Sequence, residues 1–291
     1  MSRVVVHQTD SRRQCSDLRL ALAAVGIAGE GVMRDGSWSL LVDESNQSAA
    51  IDEIEGYLRD NAESVVTTTR PLRLYGGALA GVFAYAVIVN AITVTAWTPP
   101  LDQAWNEFGR MKAGDVMSGQ WWRAFTALSL HVDLQHWLSN LAFGGVFGFL
   151  VGRVLGGGVG WLAILLAGGI GNYLNAMMRD ADHGSIGAST AVFGALGVMV
   201  AHAMAPRTRS TQSAMKRYSP LVGGVLMFAM LGIGDERTDV GAHASGLFAG
   251  FVIGWIACRM PEQWLARGDV QWGAGTIAVG ILALSWIVAL S

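Results

Sequence analysis

The sequence predicts an all-α polytopic membrane protein with a small N-terminal α/β soluble domain. Two observations predict it. From Leu74 onward, long apolar runs alternate with short polar connections, whereas the first 69 residues are polar and patterned as short strands and helices. Across 291 residues, 52% are hydrophobic and only 14% are charged; an ordinary globular domain carries about 25% charged residues. The formal net charge of -2 offers little to a polyanion, so no nucleic-acid partner is expected. Cys15 lies in the polar region and Cys258 at the end of an apolar run, so no disulfide between them is expected. The stretch Met1 to His7 has neither the apolar core nor the small-residue cleavage site of a signal peptide, and none is expected there.

Taken in order, Val4 to Gln8 reads as a strand. Ser11 to Val25 reads as a helix, capped by Asp10 or Ser11 and apolar at Leu18, Leu22 and Val25. Val32–Met33 and Trp38 to Val42 read as strands joined by a hairpin at Arg34-Asp35-Gly36-Ser37, where glycine tolerates positive φ. Ala49 to Asn61 reads as a second helix with Ile51, Ile54, Tyr57 and Leu58 on one face. This βαββα unit, residues 1–69, is similar in pattern to the small ferredoxin-like domains appended to some bacterial membrane proteins. It holds no catalytic constellation.

A membrane span needs about 20 predominantly apolar residues. Seven such segments follow, at 74–97, 135–156, 158–177, 188–205, 219–234, 240–258 and 271–290, the fourth to sixth being short. Pro99-Pro100, Pro206, Pro220 and Pro261 are read as marking span ends, where a missing N–H costs least. Basic residues in short loops set orientation. With the N-terminus cytoplasmic, Arg70, Arg73, Arg153, Arg207, Arg209, Lys216, Arg217, Arg259 and Arg267 lie inside, against Arg110, Lys112, Arg123, Arg179 and Arg237 outside. The bias places the N-terminus inside and, after seven spans, the C-terminus outside. The connection from Thr98 to Leu134 carries Trp105, Phe108, Met111, Trp121, Trp122 and Phe125. Tryptophan favours the bilayer boundary, so this loop is expected to lie in the outer interface without crossing.

Polar groups at membrane depth each need a reason. Four stand out: His136, Asn140, Ser189 and His243. Ser189 precedes Arg207 by 18 residues, His243 precedes Arg259 by 16, and His136 and Asn140 precede Arg153 by 17 and 13. At about 1.5 Å per residue these lie roughly 27, 24, 26 and 20 Å above the inner ends of their spans. One slab of a core about 30 Å thick holds all four. An imidazole beside a hydroxyl permits nucleophilic catalysis, because the ring takes the serine proton during attack. His136 and Asn140, four apart on one helical face, are able to donate to a developing oxyanion. Ser189 opens its helix, where backbone N–H groups are free, so its own N–H could join them. Asp133 and Asp239 fall just outside the spans, so a Ser–His dyad is the simpler inference. Gly187, Gly194 and Gly197 in the fourth span, with Gly241, Gly246, Gly250 and Gly254 in the sixth, let the two helices approach closely.

At this point the chain resembles the rhomboid family of intramembrane proteases, from about Leu74 to Met260. The resemblance rests on Trp122-Arg123, on the run His131 to His136 followed by Asn140, on Gly187-Ala188-Ser189-Thr190, and on Gly241-Ala242-His243-Ala244-Ser245-Gly246. It implies a six-helix rhomboid-like catalytic core over 70–260 and an additional C-terminal transmembrane helix within 261–291. It implies Ser189 and His243 as catalytic residues and an oxyanion hole of His136, Asn140 and the Ser189 amide, supported by Gly187, Phe193, Trp122 and Arg123. It also implies transmembrane protein substrates with helix-destabilising residues near the cut. The chain departs from the family at Thr190, where glycine is usual, and at Phe193, where many members carry tyrosine beneath the histidine. The expectation is therefore a serine endopeptidase of the inner (cell) membrane, multi-pass, without cofactor or metal, for which the sequence sets no oligomeric state. A non-proteolytic adaptor or transporter using the same polar slab is the second reading. His131 is read as shaping the first loop, Arg123 as ordering it, Asp182 and His183 as solvated loop residues, and His202 as too deep to reach the dyad.

Overall fold

The structure, a computed structural model, describes residues 2–34, 36–61, 73–205, 214–231 and 238–291. It divides into two compact units, one within the first 69 residues and one from Arg70 onward.

In the first unit, β1 (Arg3–Thr9), α1 (Arg12–Ala24), β2 (Gly29–Arg34), β3 (Ser37–Asp43) and α2 (Gln47–Asn61) form an antiparallel sheet of order β1-β3-β2 with two helices. Alternation along β3 sends Leu40 and Val42 into a core with Cys15, Leu18 and Leu22 of α1 and Ala50 and Ile54 of α2. Ser11, not Asp10, caps α1, its Oγ accepting from Gln14 N at 3.3 Å. β2 is longer than its apolar dipeptide Val32–Met33 suggests, because Gly29 and Gly31 continue the pairing with Val42 and Leu40. A Cβ on Gly31 would stand 3.0 Å from Cys15 Sγ, so glycine there lets α1 approach the sheet. Asp35 of the expected hairpin lies outside the described residues.

The second unit contains α3 (Ala78–Ala96), α4 (Leu101–Gly109), β4 (Met111–Lys112), α5 (Ala113–Met117), α6 (Arg123–Thr126), α7 (Leu134–Leu155), α8 (Gly157–Met177), β5 (Gly184–Ser185), α9 (Ser189–Met204), α10 (Ala214–Leu231), α11 (Val240–Ala257), α12 (Glu262–Leu265) and α13 (Gly268–Leu290). Among the described residues, α3, α7, α8, α11 and α13 are long and apolar enough to cross a membrane. The other two expected spans correspond to shorter apolar helical stretches, Ser189–Met204 and Tyr218–Met230. Pro220 corrects the sequence reading: it lies inside α10, not at its end, because the helix already begins at Ala214. Pro206 lies outside the described residues.

Apolar all round, α9 is buried at nearly every position from Thr190 to Ala201, as such a helix must be. It packs directly on α11. A Cβ on Gly246 would overlap the Thr190 carbonyl oxygen and stand 3.0 Å from Thr190 Cγ2, so only a bare α-carbon permits this approach. Thr190, 2% exposed, turns its methyl toward Gly171 of α8 and Gly246 of α11. Its extra bulk therefore fills a helix interface.

The connection from α3 to α7 is ordered by the buried Arg123. Its Nη1 donates to the carbonyls of Glu107 and Arg110, both at 2.8 Å. Nε donates to Gln120 Oε1 at 2.6 Å, and Nη2 pairs with Asp115 at 3.3 Å. A guanidinium fork suits four such partners; an ammonium would not. Both ends of α13 are fastened to the rest of the unit. Gln271 Oε1 accepts from Gly158 N and Val159 N, at 2.9 and 3.0 Å, satisfying free donors at the start of α8. Near the other end, Trp286 Nε1 donates to Ser129 Oγ at 3.0 Å while its ring packs on Trp105.

Candidate active site

Ser189 is the first residue of α9 and follows a sharp turn at Gly187, whose φ is +128°. Gly187 N donates to Ala127 O at 2.9 Å, tying this turn to the preceding loop. His243 lies in the first turns of α11, buried. Its Nε2 is 2.9 Å from Ser189 Oγ, although 54 residues separate the two in the chain. The imidazole stacks on Phe193, one turn along α9 from Ser189, with centroids 4.5 Å apart and planes at 29°. Phe228 of α10 backs Phe193 edge-on at 5.4 Å.

Asp133 caps α7, its Oδ1 accepting from His136 N at 2.8 Å. One turn separates His136 and Asn140 on this helix. A Cβ on Gly187 would stand 2.5 Å from His136 Nε2 and 3.5 Å from Asn140 Nδ2. The positive φ and the bare α-carbon thus let both side chains close against the turn before Ser189. Tyr85 of α3 donates its hydroxyl to Asn140 O at 2.8 Å, fixing that part of α7. Asn140 itself is 4% exposed, and its Nδ2 has no partner among the described residues. A buried donor left unpaired costs about 1–3 kcal/mol, and an oxyanion formed beside it would relieve that cost. Ser189, His243, His136, Asn140, Gly187 and Phe193 therefore converge on one place. Trp122 and Arg123 stay in the loop: Trp122 packs against the apolar cluster that includes Leu130 and Trp286, and Arg123 bonds only loop groups.

His131 is buried in the same loop, its Nδ1 3.1 Å from Thr93 Oγ1 and its carbonyl accepting from Trp97 Nε1 at 2.9 Å. Burial, aided by the nearby His136 ring, pushes its pKa down to about 3. Above about pH 6.5 the ring is neutral in folded and unfolded chains alike. As pH falls from there toward 3, the unfolded chain binds a proton that the folded loop refuses, so stability falls across that window. The thermal midpoint in detergent is expected to drop more between pH 7 and about pH 4.5 in the wild type than in His131→Asn. Equal drops would refute this.

His183 corrects the sequence reading, for it is not a solvated loop residue. Its side chain is 28% exposed, and Nε2 sits 2.8 Å from Asp239 Oδ2. Asp182 is exposed. His202 lies toward the far end of α9, its Nδ1 3.4 Å from Cys258 Sγ. Among the described residues, no group of His, Cys, Asp and Glu is arranged to hold a metal ion.

Residues 118–260 match the family model of the Rhomboid domain. This segment is similar to rhomboid domains. Over 148 residues the chain is 28% identical to YdcA, a rhomboid protein of Bacillus subtilis (strain 168), covering 51% of this chain and 73% of that protein. It is 30% identical over 149 residues to the rhomboid protease GluP of the same organism, covering 50% of this chain and 27% of GluP. It is 29% identical over 189 residues to RHOMBOID-like protein 7 of Arabidopsis thaliana, covering 61% of this chain and 56% of that protein. The chain thus spans well under two thirds of the length of the last two relatives. Every converging residue from His136 to His243 falls inside the segment that matches the Rhomboid domain, whereas α13 lies beyond it. With several apolar helices around this domain, the chain is a multi-pass membrane protein.

Proposed function

We propose that the protein is an intramembrane serine protease that hydrolyses peptide bonds in or near transmembrane segments of other membrane proteins. The observation that carries this reading is the 2.9 Å approach of Ser189 Oγ to His243 Nε2 within the rhomboid domain. Ser189 Oγ attacks the scissile carbonyl carbon while His243 Nε2 takes its proton. The carbonyl oxygen becomes an oxyanion held by Asn140 Nδ2, His136 and the Ser189 N–H, which is free because it opens a helix. His243 then returns the proton to the departing amine nitrogen, leaving an acyl-enzyme ester. Water, deprotonated by the same imidazole, hydrolyses the ester and restores Ser189. Phe193 holds the ring by stacking and offers no hydroxyl to it. Trp122 and Arg123 act at a distance, by keeping the loop that receives the Gly187 N–H in place.

In this reading residues 70–260 form a six-helix catalytic domain, α13 is an added seventh span and residues 1–69 form a separate α/β domain. Basic residues place the N-terminus in the cytoplasm and the C-terminus outside an inner (cell) membrane. Substrates are single-span proteins that enter from the bilayer and unwind locally, because a hydrogen-bonded helix shields its carbonyls. The test uses the full chain in liposomes. A fluorophosphonate probe is expected to modify one residue, mapped by peptide mass to Ser189, and a co-reconstituted single-span substrate is expected to be cut. A label mapped elsewhere would refute the mechanism.

A further inference from the structure

We propose that Asp239 is a positioning residue, a carboxylate outside the Ser189–His243 pair that holds both of its members in register. The inference rests on the protease reading above. Asp239 caps α11, its Oδ1 accepting from Ala242 N at 3.1 Å, and its own carbonyl accepts from His243 N at 3.1 Å. A cap needs one acceptor atom, which Ser, Thr or Asn supplies equally well. Asp239 does far more. Oδ1 also receives Arg179 Nη2 at 3.1 Å, while Oδ2 receives Asn175 Nδ2 at 2.8 Å and faces His183 Nε2 at 2.8 Å. Its side chain is only 13% exposed.

These partners belong to three parts of the site. Asn175 and Arg179 mark the end of α8. His183 lies in the segment that leads into Gly187 and Ser189, and its carbonyl is itself held by Ala113 N at 2.9 Å. Asp239 starts the helix that carries His243 four residues later. One carboxylate thus joins the segment delivering the nucleophile to the helix delivering the base. A second feature points the same way. A Cβ on Gly241 would stand 2.6 Å from Arg179 Nη2 and 2.7 Å from Asn175 Oδ1, so the first turn of α11 is bare where these groups reach in. Burial by itself pushes the Asp239 carboxyl up. The His183 and Ala242 hydrogen bonds, the His183 charge and the Asn175 amide outweigh it and hold the pKa at about 2. The clamp therefore stays ionised at any pH where the protease reading operates.

The test compares wild type, Ser189→Ala, Asp239→Ala, Asp239→Asn and Arg179→Gln as full chains in liposomes. It measures fluorophosphonate labelling rate, kcat and KM on a single-span substrate, and thermal midpoint. Misplacing a reacting group by about 1 Å costs up to roughly 100-fold. Asp239→Ala and Arg179→Gln are each expected to lower the labelling rate and kcat by about 10- to 100-fold, with KM within about twofold. Asp239→Asn, which keeps an acceptor oxygen for Ala242 N, is expected to recover part of the loss. Should Asp239→Ala fail to fold, Arg179→Gln decides the matter, since it leaves the cap intact. A purely structural cap would lower the midpoint of Asp239→Ala while folded variants label and turn over like wild type; that result overturns the inference alone. Labelling that persists undiminished in Ser189→Ala overturns the protease reading, and the inference with it.

Discussion

Ser189→Ala is expected to abolish fluorophosphonate labelling and to lower substrate cleavage by on the order of 10⁴-fold or more, and His243→Ala is expected to do nearly the same. The hydroxyl is a weak nucleophile unless a base takes its proton as the bond forms, and His243 Nε2, the base in the proposed reading, stands 2.9 Å away. Removing either partner ends the joint step, so Ser189→Ala with His243→Ala is expected to cost no more than the worse single change. Asn140→Ala is expected to cost less, about 10²- to 10³-fold in kcat, because it removes one of several proposed oxyanion donors. Thermal midpoints separate chemistry from folding. Ser189 is only half-buried, so its replacement is expected to leave the midpoint nearly unchanged. Cleavage by Ser189→Ala at a rate near wild type would sink the dyad.

The polar slab was legible because rise per residue is a constant of the α-helix. Counting from basic span ends placed Ser189 and His243 within a few ångström of each other in depth, and the structure brings them to hydrogen-bond distance. Depth alone says nothing about azimuth. The facing of α9 and α11 comes from glycines whose spacing is visible, but whose partners are not. Other features leave weaker traces. His183 and Asp239 are 56 residues apart, and a half-buried hydrogen bond between two loop-end residues has no periodicity to reveal it. Gln271 sits in an apolar run like any isolated polar residue, and its four bonds to α8 and its surroundings depend on chain reversals that no local pattern encodes. Arg123 was better placed for inference, since a buried guanidinium beside interfacial tryptophans has few uses besides ordering carbonyls. Pro220 departs from expectation because proline is usually excluded from helix interiors; inside α10 it gives up the N–H bond to the carbonyl four residues earlier.

Gly246→Val is expected to inactivate the protein without touching a reacting atom. Gly246 lies where α8, α9 and α11 meet. A Cβ on it overlaps the Thr190 carbonyl oxygen, and one on Gly171 would stand 2.7 Å from Gly246 Cα. The Thr190 backbone is part of a helix and cannot rotate away, so α11 must retreat by about an ångström, at a cost of roughly 1–3 kcal/mol in overpacking. His243 is three residues earlier on the same helix and shares its face. A retreat of that size lengthens the Ser189–His243 contact beyond hydrogen-bond range, which costs about 100-fold in rate. The labelling rate is thus expected to fall by about 100-fold or more, together with the thermal midpoint. Gly280→Val on α13 is the matched control: nothing lies within 4 Å of a Cβ there, so it adds the same bulk without a clash and is expected to label like wild type. If Gly246→Val labelled at the wild-type rate, close approach of these helices would not be what holds the imidazole against the serine. If Gly280→Val fell as far, bulk in any span would suffice, and the specific contact with Thr190 would explain nothing.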